Sequence, residues 1–154
     1  MRPITRVYVD TSVLGGVFDD EFAEASRTFF EIARGGRFQL VVSGLVDEEI
    51  KAAPIEVQEF FREAQPMLDV AELSEEALAL LNAYIDAGVV SPKWRDDALH
   101  VAVATVAGCS MIVSWNFKHI VHYQKIPKYN AVNALRGYSA IAIYSPMEVV
   151  ADED

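Results

Sequence analysis

The sequence predicts an α/β fold, a mostly parallel central sheet of four or five strands flanked by helices in three layers. Three observations carry this. Short β-forming runs alternate along the chain with longer segments of helical periodicity, and helices interposed between strands impose parallel crossovers. The segment "DDALHVAVATVAG" is apolar almost all round and made of small residues, which suits a central helix packed closely against a sheet. A chain of 154 residues with 52% apolar content is the size of one domain and buries a substantial core. Residues 1–154 are therefore expected to form a single domain.

Each element has its own signal. "ITRVYV" reads as a buried strand; "DDEFAEASRTFFEIARGG" then places Phe22, Ala25, Phe29, Ile32 and Ala33 on one helical face, with acids in the first turn and glycines at the stop. "RFQLVVS" is the second strand. "GLVDEEIKAA" reads as a short helix, and Pro54 starts another that carries Val57, Phe60, Phe61 and Ala64. "LSEEALALLNAYIDAG" has a Ser N-cap at Ser74, a stop at Gly88 and an apolar stripe of Ala77, Leu80, Leu81, Tyr84 and Ile85. The central helix follows a loop with Pro92, and "SMIVSWN" is the next strand. "IVHYQ" suggests a helical turn, residues 124–138 read as a loop, and "AIAIYS" before Pro146 is a last strand.

Composition narrows the function classes. The single cysteine, Cys109, cannot form an internal disulfide; no apolar run is long enough to span a bilayer, and no charged-then-apolar leader is visible. The expectation is a cytoplasmic protein with no membrane partner. A formal charge of -10 argues against nucleic acid, yet it hides an asymmetry. Residues 1–90 carry 17 acids against 7 Lys or Arg, whereas residues 91–147 carry Asp96 and Asp97 against Lys93, Arg95, Lys118, Lys125, Lys128 and Arg136. His100, His119 and His122 lie in that second stretch too. It reads either as a phosphate-binding face or as an ordinary solvated one.

The chemistry gathers at strand ends. In open parallel sheets, loops and helix N-termini converge beyond the carboxyl ends of the strands. Asp10 ends the first strand, Asn116 follows "SMIVSW", Asp97 stands at the start of the central helix, and Glu49 lies on the helix after "VVSG". Four oxygen donors then face one cleft. Carboxylates this close repel one another, and a hard divalent cation such as Mg²⁺ or Mn²⁺ is the natural remedy. Taken singly, each has an ordinary structural account: Asp10 as a helix cap, Asp97 as a helix-start acid, Glu49 as a solvated neighbour of Asp47 and Glu48, and Asn116 as a turn residue.

As an ordered set these residues resemble the PIN domain nucleases, many of which are VapC-type toxins. The pattern is a strand ending in Asp then Thr or Ser ("VYVDTSVL"), a Glu after strand two ("VVSGLVDEEI"), an Asp opening a small-residue helix ("DALHVAVA") and Ser, one residue, then Asp or Asn ("IVSWN"). The matches span nearly the whole chain. The resemblance implies a three-layer PIN-like fold and a catalytic metal cluster of Asp10, Glu49, Asp97 and Asn116 around Mg²⁺ or Mn²⁺. It makes Thr11, Ser12 and Ser114 hydrogen-bonders to those ligands, with Glu48 as the fallback for Glu49. It further implies metal-dependent hydrolysis of RNA phosphodiesters, a homodimer and a cognate antitoxin in a type II toxin-antitoxin pair. Lys93, Arg95, Lys118, His119, His122, Lys125 and Lys128 would then hold flanking phosphates.

The chain departs from the pattern at Asn116, where many relatives have Asp; an amide is a neutral, weaker ligand. That departure keeps a second reading open, a PIN-fold module that binds RNA or a protein partner without cleaving. A haloacid-dehalogenase phosphatase would need Asp at position 12, where this chain has Ser12, and a dinucleotide site would need an earlier Gly-rich turn than "DTSVLGG" offers. Trp115 is expected in the core rather than stacked on a base, His100 as a satisfied packing residue, and Cys109 as buried filler.

Overall fold

The computed structural model of the chain describes residues 4–151. Five parallel strands form one sheet in the order β3-β2-β1-β4-β5, with β1 Thr5–Val9, β2 Phe38–Ser43, β3 Leu68–Ala71, β4 Met111–Val113 and β5 Ala142–Tyr144. Central β1 pairs Val7 with Leu40 on one side and with Met111 on the other. Its Val7, Tyr8 and Val9 are fully buried, so both faces of the sheet are covered.

The helices are α1 Thr11–Gly16, α2 Ala23–Arg34, α3 Gly44–Ile50, α4 Ile55–Ala64, α5 Glu75–Asp86, α6 Arg95–Val106, α7 Ile126–Leu135 and α8 Pro146–Ala151. They pack in two groups: α1, α2, α3, α4 and α8 touch one another, and α5 touches α6 and α7. In α6 every residue from Ala98 to Thr105 is buried, the environment its all-round apolar sequence requires. Ser74 caps α5 by accepting from the Ala77 N–H at 3.2 Å, and Gly88 ends that helix at φ 76°.

The order of strands positions the site. The chain runs outward from β1 through β2 to β3, then returns to place β4 and β5 on the other side of β1. The switch point therefore lies between the carboxyl ends of β1 and β4, where Asp10 and the segment Ser114–Trp115–Asn116 emerge. Gly16 lets α1 sit close there. A Cβ on it would stand 2.6 Å from Ser26 Oγ and 2.7 Å from Trp115 Nε1.

Three elements differ from the sequence expectation. Strand β3 lies where no strand was expected; it is a short edge strand whose Val70 is 65% exposed, so it lacks the apolar run that marks the buried strands. Helix α7 occupies the stretch read as a loop. Its Pro127 looks like a breaker but falls in the first turn, where proline is tolerated, and Tyr129, Val132 and Asn133 bury a face that the local composition does not advertise. Pro146 likewise opens α8 rather than only ending a strand.

Candidate functional site

Asp10 leaves β1 at the switch point with its carboxylate buried, 4% exposed. Its Oδ1 accepts from Ser12 Oγ and its Oδ2 from Ser114 Oγ, both at 2.6 Å. Each serine is itself held from behind: Ser12 Oγ accepts the Trp115 N–H and Ser114 Oγ accepts the Asn116 N–H, both at 2.9 Å. The two hydroxyls thus relay backbone N–H groups of the loop after β4 onto one carboxylate. Burial raises the Asp10 carboxyl above its ordinary range; the charge of His100 and the two serines oppose that, and Glu49 adds to it.

Glu49 faces the same edge from α3. Its Oε1 accepts from Thr11 Oγ1 at 2.8 Å and pairs with His100 Nε2 at 2.7 Å. His100 Nδ1 lies 2.8 Å from the Tyr8 hydroxyl, which lies 2.8 Å from Ser43 Oγ. Bonded at both ring nitrogens, His100 links the Glu49 carboxylate through the Tyr8 hydroxyl to Ser43. Burial works to raise the Glu49 carboxyl, but the hydrogen bond and charge of His100, with Thr11, outweigh it and hold it below the ordinary range. Glu48, one residue earlier, is exposed and pairs with Lys51 at 2.8 Å, so Glu49 is the acid that turns inward.

Thr11 thus serves Glu49, while Ser12 and Ser114 serve Asp10. His100 is satisfied and buried, yet its partner is an acid of the site. The sequence predicts a packing residue here; the signal for more is its place one helical turn after Asp97, since residues three apart share a helix face.

The other two predicted ligands lie differently. Asp97, partly buried in the first turn of α6, has no hydrogen-bond partner among the described residues; its charge acts on His119 and Tyr129. Asn116 uses Oδ1 to accept the His119 N–H at 2.9 Å, a turn-closing role. Trp115 is core: 6% exposed, stacked on Phe22 with centroids 4.1 Å apart, and donating from Nε1 to Ser26 Oγ at 2.8 Å. Cys109 is buried and its thiol is pushed up to about 11 by that burial.

Lys93 and Lys118 hold their ammoniums 5.0 and 5.1 Å from the ring centroid of Trp94, an aromatic residue the sequence reading passed over. The Trp94 indole stacks on the His119 imidazole at 4.4 Å. Arg95 pairs with Asp96 at 3.7 Å, Lys125 donates to the Val89 carbonyl at 2.7 Å, and Lys128 is exposed.

Hard oxygen donors suit Mg²⁺ or Mn²⁺ in kind. In arrangement they do not form a closed site. Glu49 Oε1 and Asn116 Oδ1 are engaged within the protein, and among the described residues no group of three or more His, Cys, Asp or Glu stands together as a metal site. Nor, among those residues, is any helix long and apolar enough to cross a membrane.

A five-stranded parallel sheet covered by helices, with Asp10 and Glu49 at its switch point, defines a doubly wound α/β protein. More narrowly, the chain matches the PIN domain family over residues 6–118 and belongs to that family. Its fold is similar to that of VapBC2 from Rickettsia felis bound to a promoter DNA fragment, with TM-score 0.62, 12% identity, and 92% of this chain and 98% of that one covered. It is also similar to FitAB bound to the IR36 DNA fragment (TM-score 0.59, 10% identity, 91% and 94% covered). FitAcB from Neisseria gonorrhoeae gives TM-score 0.58, 10% identity, with 92% and 98% covered. No curated protein matches in sequence. The expected three-layer PIN-like fold is thus the fold observed.

Proposed function

We propose that this PIN-domain protein works by binding RNA at the carboxyl edge of its sheet, with Asp10 and Glu49 committed to internal hydrogen bonds rather than gathered for cleavage. One observation carries this reading: Glu49 is held by His100 and Thr11, and the Asn116 carbonyl is held by the His119 N–H. The rim of Lys93, Lys118, Lys125 and Lys128 beside that edge supports the choice of RNA, since lysine point charges recognise phosphate regardless of sequence. The test is a mixed RNA pool incubated with the protein and Mn²⁺. A mobility shift with the RNA left intact is the expected result.

A second reading is favoured by Asp97, to which no described residue hydrogen-bonds, and by Asp10, a buried carboxylate that Glu49 acts on electrostatically. In that reading Asp10, Glu49, Asp97 and Asn116 hold Mg²⁺ or Mn²⁺, and the protein is a metal-dependent endoribonuclease, the homodimeric toxin of a pair with an antitoxin partner. Such an ion would supply charge neutralisation at the RNA phosphate. Mn²⁺-dependent cutting by the wild type that disappears in Asp97→Asn, with the fold unchanged by circular dichroism, would overturn the binding-only reading and establish this one.

A further inference from the structure

His119 is the one residue whose buried side-chain nitrogens lack a partner among the described residues: neither Nδ1 nor Nε2 has a hydrogen bond, and the residue is only 7% exposed. Its backbone, by contrast, is fixed at both ends. The N–H donates to Asn116 Oδ1 at 2.9 Å and the carbonyl accepts from the Tyr129 hydroxyl at 2.8 Å. An imidazole so firmly positioned, with all its polar capacity unspent, is held ready for something outside the protein.

What surrounds it says what that is. The ring lies against Trp94 at 4.4 Å, and the exposed ammoniums of Lys93 and Lys118 stand 5.0 and 5.1 Å from the indole centroid. Two exposed ammoniums reach that indole, so it is accessible from solvent where they sit. An aromatic platform, two cations and an imidazole match the three parts of a nucleotide that a sequence-tolerant site can use: the face of the base, the phosphate charge and a phosphate or sugar oxygen. Asp97, which acts electrostatically on His119, places this cluster beside the acids of the edge.

We infer that Trp94, His119, Lys93 and Lys118 form a nucleotide subsite for single-stranded RNA. The base stacks on the Trp94 indole, the two lysines leave the ring for the phosphate, and the His119 imidazole spends its hydrogen bonds on the same nucleotide. This subsite rests on the RNA-binding reading above, and the experiment separates the two.

The chain has two tryptophans, and Trp115 is sealed in the core against Phe22, so Trp94 is the fluorophore a ligand can reach. The full chain, without added metal, is titrated with a short mixed-sequence oligoribonucleotide and with an abasic oligonucleotide of equal length. The intact RNA should quench the fluorescence and bind about tenfold more tightly than the abasic strand, the range expected for one stacked base. Trp94→Phe should abolish the quenching while keeping most of the affinity, and Trp94→Leu should bring binding down to the abasic level. Lys93→Gln with Lys118→Gln should weaken both strands and reduce the salt slope by about 1.4. Equal binding of both strands without quenching would overturn the subsite and leave the RNA reading standing. No binding of either strand by the wild type at low salt would overturn both. Because the abasic comparison uses the unaltered protein, a Trp94→Leu chain that failed to fold would not rescue the proposal.

Discussion

Two buried histidines, His100 on α6 and His119 in the turn after β4, have surroundings that could hardly differ more. His100, 3% exposed, is bonded at both nitrogens, to Glu49 and to Tyr8, in a chain that ends at Ser43 inside the sheet. His119, 7% exposed, is bonded at neither. The first belongs to a network that matches both ring nitrogens, the Tyr8 hydroxyl and Ser43 Oγ, so it contributes to a single rigid arrangement. The second is a burial cost left in place, and such costs persist where something other than folding uses them. One imidazole is matched within the fold, and the other is the one proposed above for contact.

The largest effect should come from breaking the satisfied side. His100→Leu fills much of the same space but strands the Tyr8 hydroxyl and removes the partner of Glu49, so it should cost about 2–4 kcal/mol of unfolding free energy. Urea unfolding with an unchanged slope measures it. A loss below about 1 kcal/mol would mean that the network is not what holds this side together.

The two inward acids of that side should respond with opposite sign. Asp10 is raised by burial, so its charge is a cost in the folded state at neutral pH; Asp10→Asn should gain about 1–2 kcal/mol there. The gain should shrink as pH falls through the raised Asp10 value and vanish below the ordinary carboxylate range, where wild-type Asp10 is protonated whether folded or not. Glu49 is held low instead, so its stabilisation is present above the ordinary range and is lost as pH falls through its depressed folded value. Being partly exposed, it is screened, and Glu49→Gln should cost under about 1 kcal/mol at neutral pH. Thermal unfolding of both variants from neutral to acid pH reads the two curves. Parallel curves would dissolve the distinction between them.

Next comes the unsatisfied side. His119→Leu removes two unpartnered nitrogens and should be neutral or stabilising by up to about 1 kcal/mol, the reverse of the same change at His100. Burial, followed by Lys125, Lys118 and His122, holds the His119 imidazole below its ordinary range against the pull of Asp97. The folded wild type therefore binds fewer protons than the unfolded chain and loses stability as pH falls below the usual histidine value. The variant should lack that loss. A strongly destabilised His119→Leu would show that the imidazole is a structural member after all.

How much of this was legible beforehand divides along the same line. Elements with a strong local signature were readable: the central helix from its all-round apolar run, the switch-point strands from their β-branched residues, Asp10 and Glu49 from their places after strands. What failed was whatever depends on distant partners. Helix α7 is stabilised by burying Tyr129, Val132 and Asn133 against other elements, and Asn133 accepts from the Tyr84 hydroxyl 49 residues away. Strand β3 exists because it completes the β2 edge. His100 read as packing because its pairing to Glu49 spans 51 positions, and Trp94 escaped notice because His119 and Lys118 reach it from across the fold.

The smallest expected effect tests how far the contact side extends. Lys128 is exposed at the start of α7, whereas Lys125 is spent in part on the Val89 carbonyl, at 2.7 Å. If both face RNA, Lys125→Glu with Lys128→Glu should weaken binding across all sequences and lower the salt slope by about 1.4, the release expected for two single-strand phosphates. Because Lys125 already has a partner, Lys128→Glu alone should account for most of the change at constant salt. Binding isotherms at several salt concentrations decide between them. An unchanged slope in the double variant would confine the RNA-facing side to Trp94, His119 and their two lysines, and would make α7 a purely structural helix.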